Sequence, residues 1–393
     1  MEPIVIEQLP ASRRALRLAI VTETYPPEVN GVALSLARLV DGLREAGHEI
    51  QLVRPRQHRA DGAAGEDCSA EVLTGGVPIP RYPDLKMGLP AKGRLVRQWK
   101  ARRPDIVHVV TEGPLGWSAL QAARKLRIPV CSDFRTNFHA YSLHYGIGWL
   151  RRPIVAYLRK FHNQSMLTMV PTEQMRAELA GIGFLNLRVL SRGVDTRLFS
   201  PGRRSEELRR SWGAKPDEPV VLHVGRLAAE KNLDVLVAAS ERARSSRPRA
   251  RVVLVGDGPE RARLQGRLPY AVFAGVQTGE LLAAHYASAD LFLFPSCTET
   301  FGNVTLEAMA SGLPVVAYDY AAAAQHVRHG THGLLAPFGR REDFVALADE
   351  LLAIHECRPE AFRAMGRESR RAAEGLDWSE VVGRLESMLQ ALA

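Results

Sequence analysis

The chain has 393 residues, 46% of them hydrophobic and 24% charged, a length that fits two domains of similar size, and no apolar run approaches the roughly 20 residues that span a bilayer. Met1–Arg14 lacks the apolar stretch of a secretory signal, and Cys68, Cys131, Cys297 and Cys357 are scattered with no C-x-x-C pair, so reduced thiols, a cytoplasmic setting and no structural zinc are expected. The net charge of +9 lies in the first half, where residues 1–195 hold 27 Lys and Arg against 18 Asp and Glu and the remainder 25 against 25; such asymmetry points to an anionic partner, and the lack of an RNP signature, a Cys/His finger or a basic region joined to heptads argues against nucleic acid.

In chain order, Leu16–Glu23 reads as a parallel strand, apolar at nearly every position. The loop Thr24–Gly31 follows, then a helix with Val32, Leu36, Leu39, Val40 and Leu43 on one face and Gly47 as its stop, then the strand Glu49–Arg54. A ligand is expected at the carboxyl end of the first strand, near Asn30 and Gly31. The loop T-Y-P-P-E-V-N-G has one glycine rather than G-x-G-x-x-G, and the second strand ends in Arg54, so a nicotinamide dinucleotide is not expected. Gln57–Arg81 reads as a loop with a short strand at Glu71–Leu73.

Two segments, Ala91–Arg103 and Trp149–Phe161, combine basic and aromatic residues at helical spacing. That composition suits either an anionic membrane surface or a solvated basic face on a core-packed helix. Asp105–Val110 and Val130–Phe134 read as buried strands. Beyond the second come Arg135, Asn137 and His139, placed where ligands collect on a parallel sheet, although His139 fits a structural histidine equally well. Met169–Thr172 and Arg188–Leu190 close this half, and Ser191–Pro201 is the linker.

The rhythm restarts with the strand Val220–Val224, the loop Gly225–Lys231 and a helix Asn232–Arg244. Strands Arg251–Val255, Ala271–Gly275, Leu291–Phe294, Pro314–Tyr318 and Gly333–Ala336 follow, alternating with helices, and helices near Phe362–Ala373 and Trp378–Leu392 end the chain. The fold class is therefore α/β, with two Rossmann-like doubly wound domains facing across a cleft: 1–197, 198–376 and a final helix 377–393. Arg226 and Lys231 leave one loop together and could clamp a diphosphate, whereas alone they would be solvated.

Pro295–Pro314 reads P-S-C-T-E-T-F-G-N-V-T-L-E-A-M-A-S-G-L-P. Glu299 lies in a loop, Asn303 is expected to cap a helix, and Glu307 lies about one turn inside it. Helix-start amides with two acceptors suit a hydroxyl-rich ligand, and two solvated glutamates would give the same pattern.

These stretches resemble family 4 of the glycosyltransferases with the GT-B fold, a group that includes retaining mannosyl- and glucosyltransferases. The matching pieces span most of the chain: Asn30-Gly31-Val32, V-G-R-L-A-A-E-K-N at Val224–Asn232, V-G-D-G-P at Val255–Pro259, A-S-A-D-L-F-L-F-P-S at Ala287–Ser296, and the E-x7-E signature from Glu299 to Glu307. The resemblance implies retaining transfer of a hexose, mannose or glucose favoured, from a GDP- or UDP-linked donor to a lipid-linked or glycan hydroxyl. By that analogy Arg226 and Lys231 hold the diphosphate and Glu307 the ribose. Glu299 with the Phe301 and Gly302 amides grips the sugar, and Gly31 approaches from the other domain. Backbone around Gly256, Asp257 and Val276 would meet the base. Two cations with helix-start amides stabilise a departing diphosphate, so no metal or other cofactor is expected.

Two departures stand out. Many relatives carry His where this chain has Arg135, which cannot act as a base, so either His139 takes part or the leaving phosphate accepts the proton. Where relatives show a Gly-rich stretch with Glu, this chain reads Y-A-A-A-A-Q-H-V, with Gln325 and His326. The alternatives to a transferase are a sugar-nucleotide epimerase of the same architecture and a non-catalytic protein that binds anionic membranes. A transferase of this kind is expected to be cytoplasmic, with a peripheral place at the inner membrane face as one option.

Overall fold

The computed structural model describes residues 14–28, 30–57, 70–79, 82–135 and 151–393. It divides into two compact units, one of Met1–Asp133, Phe161–Thr168 and Val382–Ala393, the other of Phe134–Lys160 and Met169–Val381. The first large sheet contains β1 (Arg17–Val21), β2 (Glu49–Pro55), β3 (Glu71–Thr74), β6 (Ile106–Val109), β7 (Val130–Asp133), β8 (Leu167–Val170) and β9 (Leu187–Val189), in the order β3-β2-β1-β6-β7-β8-β9. Between β3 and β6 the chain forms an antiparallel hairpin of β4 (Gly76–Ile79) and β5 (Tyr82–Gly88). The second large sheet runs β12-β11-β10-β13-β14-β15, from β10 (Val220–Val224), β11 (Arg251–Val255), β12 (Val272–Gly275), β13 (Leu291–Phe294), β14 (Val315–Tyr318) and β15 (Gly333–Ala336).

Strands β10, β11, β13 and β14 of the second sheet are buried on both faces, as their unbroken apolar runs require, while the edge strand β12 is half-buried. Val220, Leu222 and Val224 of β10 join a core with Phe292, Phe294 and the helix Asn303–Ala310. Val221 and the odd residues of β13, Leu291 and Leu293, join the opposite core with Leu233, Leu236 and Phe344. All the described β10 to β15 pairings are parallel, so their carboxyl ends, and the loops that follow them, gather on one edge.

The division between units falls inside the first sheet rather than at Ser191–Pro201. Contacts of the segments around β8 and β9 account for it: the Glu173 N–H donates to Gln325 Oε1 at 3.3 Å, the Ala321 N–H to Gln174 Oε1 at 3.4 Å, and Ser191 Oγ meets His326 Nε2 at 3.2 Å. The last helix, Trp378–Gln390, starts against Gly193, where a Cβ would lie 2.9 Å from Trp378 Cα. Its remainder belongs to the first unit, where Val382 fills the space above Gly42 and Glu386 Oε1 faces His48 Nε2 at 3.4 Å in a buried pair.

Several elements depart from the sequence expectations. Strand β4 lies in what reads as loop and β5 in the stretch just after it, because short strands containing Gly and Pro carry little periodicity. Helices Pro114–Leu126 and Arg341–Cys357 were not anticipated. Of the two basic segments, the first is the helix Lys92–Ala101, whose Trp99 is fully buried and donates to Gln51 Oε1 at 2.9 Å. Its aromatic residue is therefore core. No helix among the described residues is long and apolar enough to cross a membrane.

Candidate active site

The loops after β10, β11 and β12 are clasped backbone to backbone. Gly225 N–H donates to Val255 O at 3.0 Å, Leu227 N–H to Asp257 O at 2.9 Å and Gly256 N–H to Gly275 O at 2.7 Å. The approach is close enough that only glycine fits at two points: a Cβ on Gly256 would lie 2.0 Å from Gly225 O, and one on Gly258 2.3 Å from Leu227 O. Asp257 serves its own turn, accepting from Gly258 N–H at 2.7 Å and Arg261 Nη1 at 2.8 Å; those bonds hold its carboxyl below the ordinary value. Val276, in the loop after β12, is exposed.

From this clasp the chain runs through Arg226 to a single turn at Ala229–Lys231, and Asn232 takes a left-handed conformation, φ 55°, before the helix Leu233–Ser246 begins. Arg226 is about half-exposed, with Nη1 3.8 Å from Glu230 Oε1. Lys231 points the other way and its ammonium donates to Glu299 Oε1. The same oxygen accepts from Ser296 Oγ at 2.7 Å, and Tyr320 Oη donates to the Glu299 carbonyl at 2.8 Å. Burial pushes the Glu299 carboxyl up, but Lys231, the Ser296 hydroxyl and Arg192 outweigh it and leave it below the ordinary value. Glu299 is therefore a pinned carboxylate.

The helix after this loop starts one residue earlier than its sequence suggests. Gly302, at φ 91°, is the cap and Asn303 the first helical residue, so the expected Asn303 cap is incorrect. The reason is steric: the chain must turn over Phe294, and a Cβ on residue 302 would already sit 3.3 Å from that ring. Asn303 Oδ1 is buried without a hydrogen bond among the described residues, and the Phe301 and Gly302 amides donate to none of them. Phe301 is buried with the Arg192 guanidinium 5.9 Å over its ring. Glu307, one turn along, accepts from Tyr286 Oη at 2.9 Å. Burial pushes its carboxyl up to about 7, against the lowering effect of that bond.

A small pocket beside Glu299 is lined by Phe294, Ser296, Phe301, Tyr318, Tyr320 and Ala321, among others. Beneath the Arg226 loop lies His223, fully buried and kept neutral, with its pKa lowered to about 4 by burial; its Nδ1 meets Leu293 O at 3.0 Å and its ring lies against Phe294.

Arg226, Lys231, Gly256, Asp257, Val276, Glu299, Phe301, Gly302, Asn303 and Glu307 thus share the carboxyl edge of the second sheet. Asn30, Gly31 and Val32 follow β1 in the first unit, where Asn30 caps the helix Gly31–Glu45, accepting from Val32 N–H at 3.1 Å and Ala33 N–H at 2.9 Å. Arg135 is buried just past β7, and His139 lies outside the described residues. Sequence reading missed Ser296, Tyr286, Tyr320 and Arg192. Ser296 stands inside the signature stretch and was within reach; the other three come from distant segments and leave no local signal. Among the described residues no cluster of three His, Cys, Asp or Glu could hold a metal ion.

Residues 29–198 match the family described as Glycosyltransferase Family 4, and residues 218–354 match Glycosyl transferases group 1. A GDP-mannose-dependent alpha-mannosyltransferase of Mycobacterium tuberculosis is 36% identical over 96% of this chain and 97% of that protein. The chain belongs to family 4 of the glycosyltransferases. It is a hexosyltransferase. An alpha-monoglucosyldiacylglycerol synthase of Streptococcus pneumoniae is 29% identical over 77% of this chain and 71% of that protein. Among solved structures, Anabaena HepE in complex with UDP superposes with a TM-score of 0.75 at 19% identity, over 96% of this chain and 100% of that one, which identifies the fold as GT-B.

Proposed function

We propose that this hexosyltransferase moves mannose from GDP-mannose, with retention at the anomeric carbon, to a hydroxyl of a lipid-linked or glycan acceptor. The observation that carries the reading is the convergence of Arg226, Lys231, Glu299 and Glu307 on one sheet edge beside the Phe301 and Gly302 amides, which donate to none of the described residues. The 36% identity to a GDP-mannose-dependent enzyme supports the donor, and the likeness to a glucosyldiacylglycerol synthase supports a lipid acceptor.

In this mechanism Arg226 and Lys231 bind the diphosphate and take up the negative charge that develops as the glycosidic bond breaks, a role that asks for fixed cations in a site that excludes water. Their charge replaces that of a metal, and transfer proceeds in chelator. Glu299 orients the hexose through its hydroxyls, and Glu307 accepts from the ribose. Arg135, permanently protonated, binds rather than abstracts a proton, so the departing phosphate takes the proton of the acceptor hydroxyl.

The enzyme works peripherally at an anionic cytoplasmic membrane face. Support comes from the helix Arg151–His162, which contains no acid and exposes Arg152, Arg159 and Lys160. The test is a panel of sugar nucleotides, read by thermal shift and by turnover with glycolipid acceptors, with the product anomer assigned by NMR. GDP-mannose is expected to stabilise the protein and to give the α-linked product. An inverted product, or turnover unaffected by Arg226→Ala, would overturn the reading.

A further inference from the structure

The tight loop between the helix Glu173–Gly181 and β9 displays two aliphatic side chains to solvent, Ile182 at 44% and Leu185 at 57% exposure. Between them Phe184 is buried, edge-on to Phe134 at 5.8 Å and in one cluster with Leu158 of the basic helix. Arg159 Nη1, from the same helix, donates to the Ile182 carbonyl at 3.1 Å. Gly183 at φ 87° and Asn186 at φ 56° fold the loop tightly on either side of this anchor. The backbone is thus fixed at both ends, and the exposure of Ile182 and Leu185 is built in.

The charge near this tip is mainly basic, with the exposed Glu178 one turn before Ile182 on the helix that leads into it. Arg159 borders it from the helix, Lys160 is the next residue of that helix and Arg188 lies on β9 three residues after Leu185, all exposed, and neither 151–162 nor 182–190 contains an acidic residue. Tyr157, 41% exposed, adds an amphipathic ring on the helix. Aliphatic side chains beside three exposed cations, against one nearby acid, complement a surface with anionic headgroups above a hydrocarbon layer. A protein partner would have to offer both a greasy socket and an acidic rim, and the bilayer offers them together.

We infer that the Ile182–Leu185 loop is an apolar wedge that enters the anionic bilayer while Arg159, Lys160 and Arg188 hold the headgroups. The inference rests on the membrane reading above and assigns the depth-penetrating part to residues outside the basic helix. It makes binding depend on burial of aliphatic area as well as on charge, so high salt alone does not release the enzyme fully.

The test floats the full chain with vesicles rich in phosphatidylglycerol and with vesicles of phosphatidylcholine alone. Ile182→Ser/Leu185→Ser is expected to lower the apparent affinity for the anionic vesicles by about tenfold or more, with melting temperature and donor hydrolysis in solution unchanged. Leu185→Trp serves as a second probe: its emission shifts to the blue and is quenched by brominated acyl chains. Wild-type binding to anionic vesicles that the double Ser variant retains in full, with no quenching of the Trp, would overturn the wedge and leave the basic helix as the whole contact. Binding by wild type to neither vesicle would overturn the membrane reading itself while leaving donor turnover as a separate result, and equal binding to both would overturn the role of Arg159, Lys160 and Arg188.

Discussion

The Lys231 ammonium donates to Oε1 of Glu299, joining the loop after β10 to the loop after β13. Both side chains are mostly buried, 16% and 15% exposed, so either one left alone is an uncompensated charge. Lys231→Ala and Glu299→Gln are each expected to cost about 1.5–3 kcal/mol of stability, and the double variant less than their sum. Transfer should fall roughly 100- to 1,000-fold in Lys231→Ala. Because the folded Glu299 carboxyl lies below its ordinary value, its contribution is present above that value and is lost as pH falls, so acid should narrow the stability gap between wild type and Glu299→Gln. Denaturant melts at several pH values check this; additive single costs would show that the pair is not coupled.

Glu307 titrates in the opposite sense. Its carboxyl is raised from 4.5 to about 7 by burial, and the Tyr286 hydroxyl bonds it in either form. The neutral form is favoured in the fold, so its contribution is complete below about 4.5 and lost as pH rises through about 7. Glu307→Gln should remove that slope, worth at most about 3 kcal/mol. If the carboxylate accepts ribose hydroxyls, GDP affinity should instead rise with pH through the same interval in wild type and stay flat in the Gln variant. Titration calorimetry separates the two trends, and a flat wild-type profile would remove Glu307 from the donor site.

How far this site could be read from sequence depends on where its partners come from. The buried strands were legible because parallel strands covered on both faces leave continuous apolar runs, as in Val220–Val224 and Leu291–Phe294. Glu299 and Glu307 were legible as a loop residue and a helix residue. The Gly302 cap was not, because Asn303 is the stronger capping residue by type and only the Phe294 ring, eight residues upstream, shows why the turn must be made by glycine. Tyr286 reaches Glu307 from another helix, and Lys231 meets Glu299 across 68 residues; no local pattern marks such pairs. Trp99 illustrates the converse: its helix is basic enough to suggest a surface role, and the ring is in the core.

Ala321 holds a left-handed conformation, φ 53°, at the edge of the pocket beside Glu299. For a residue with a Cβ that conformation costs about 1–2 kcal/mol, and it is held by the neighbouring Ala322 N–H, which donates to Phe301 O at 2.8 Å. Ala321→Gly should therefore be neutral or gain up to about 1 kcal/mol, since the relief of strain exceeds or matches the added chain entropy. Ala321→Val should lose more than about 1 kcal/mol, because a β-branched residue is poorly accommodated there. Urea melts of the two variants decide the matter, and a Gly variant less stable than wild type by over about 1 kcal/mol would show that the alanine methyl is needed for packing.

The final helix is the last element whose removal can be forecast. In the first unit Leu385 and Leu389 are fully buried and Val382 fills the space left by Gly42. Leu385→Ala and Leu389→Ala should each cost about 2–5 kcal/mol by leaving cavities. Gly193→Ala should cost about 1–3 kcal/mol, since its Cβ would meet the Trp378 backbone at 2.9 Å and backbone gives way less readily than a side chain. Deletion of residues 378–393 should then destabilise more than any of these, as it also strips the cover from His48, now buried against Glu386. Melting curves for the four proteins test the assignment, and a truncated chain that melts with wild type would mean that the helix is merely resting on the fold.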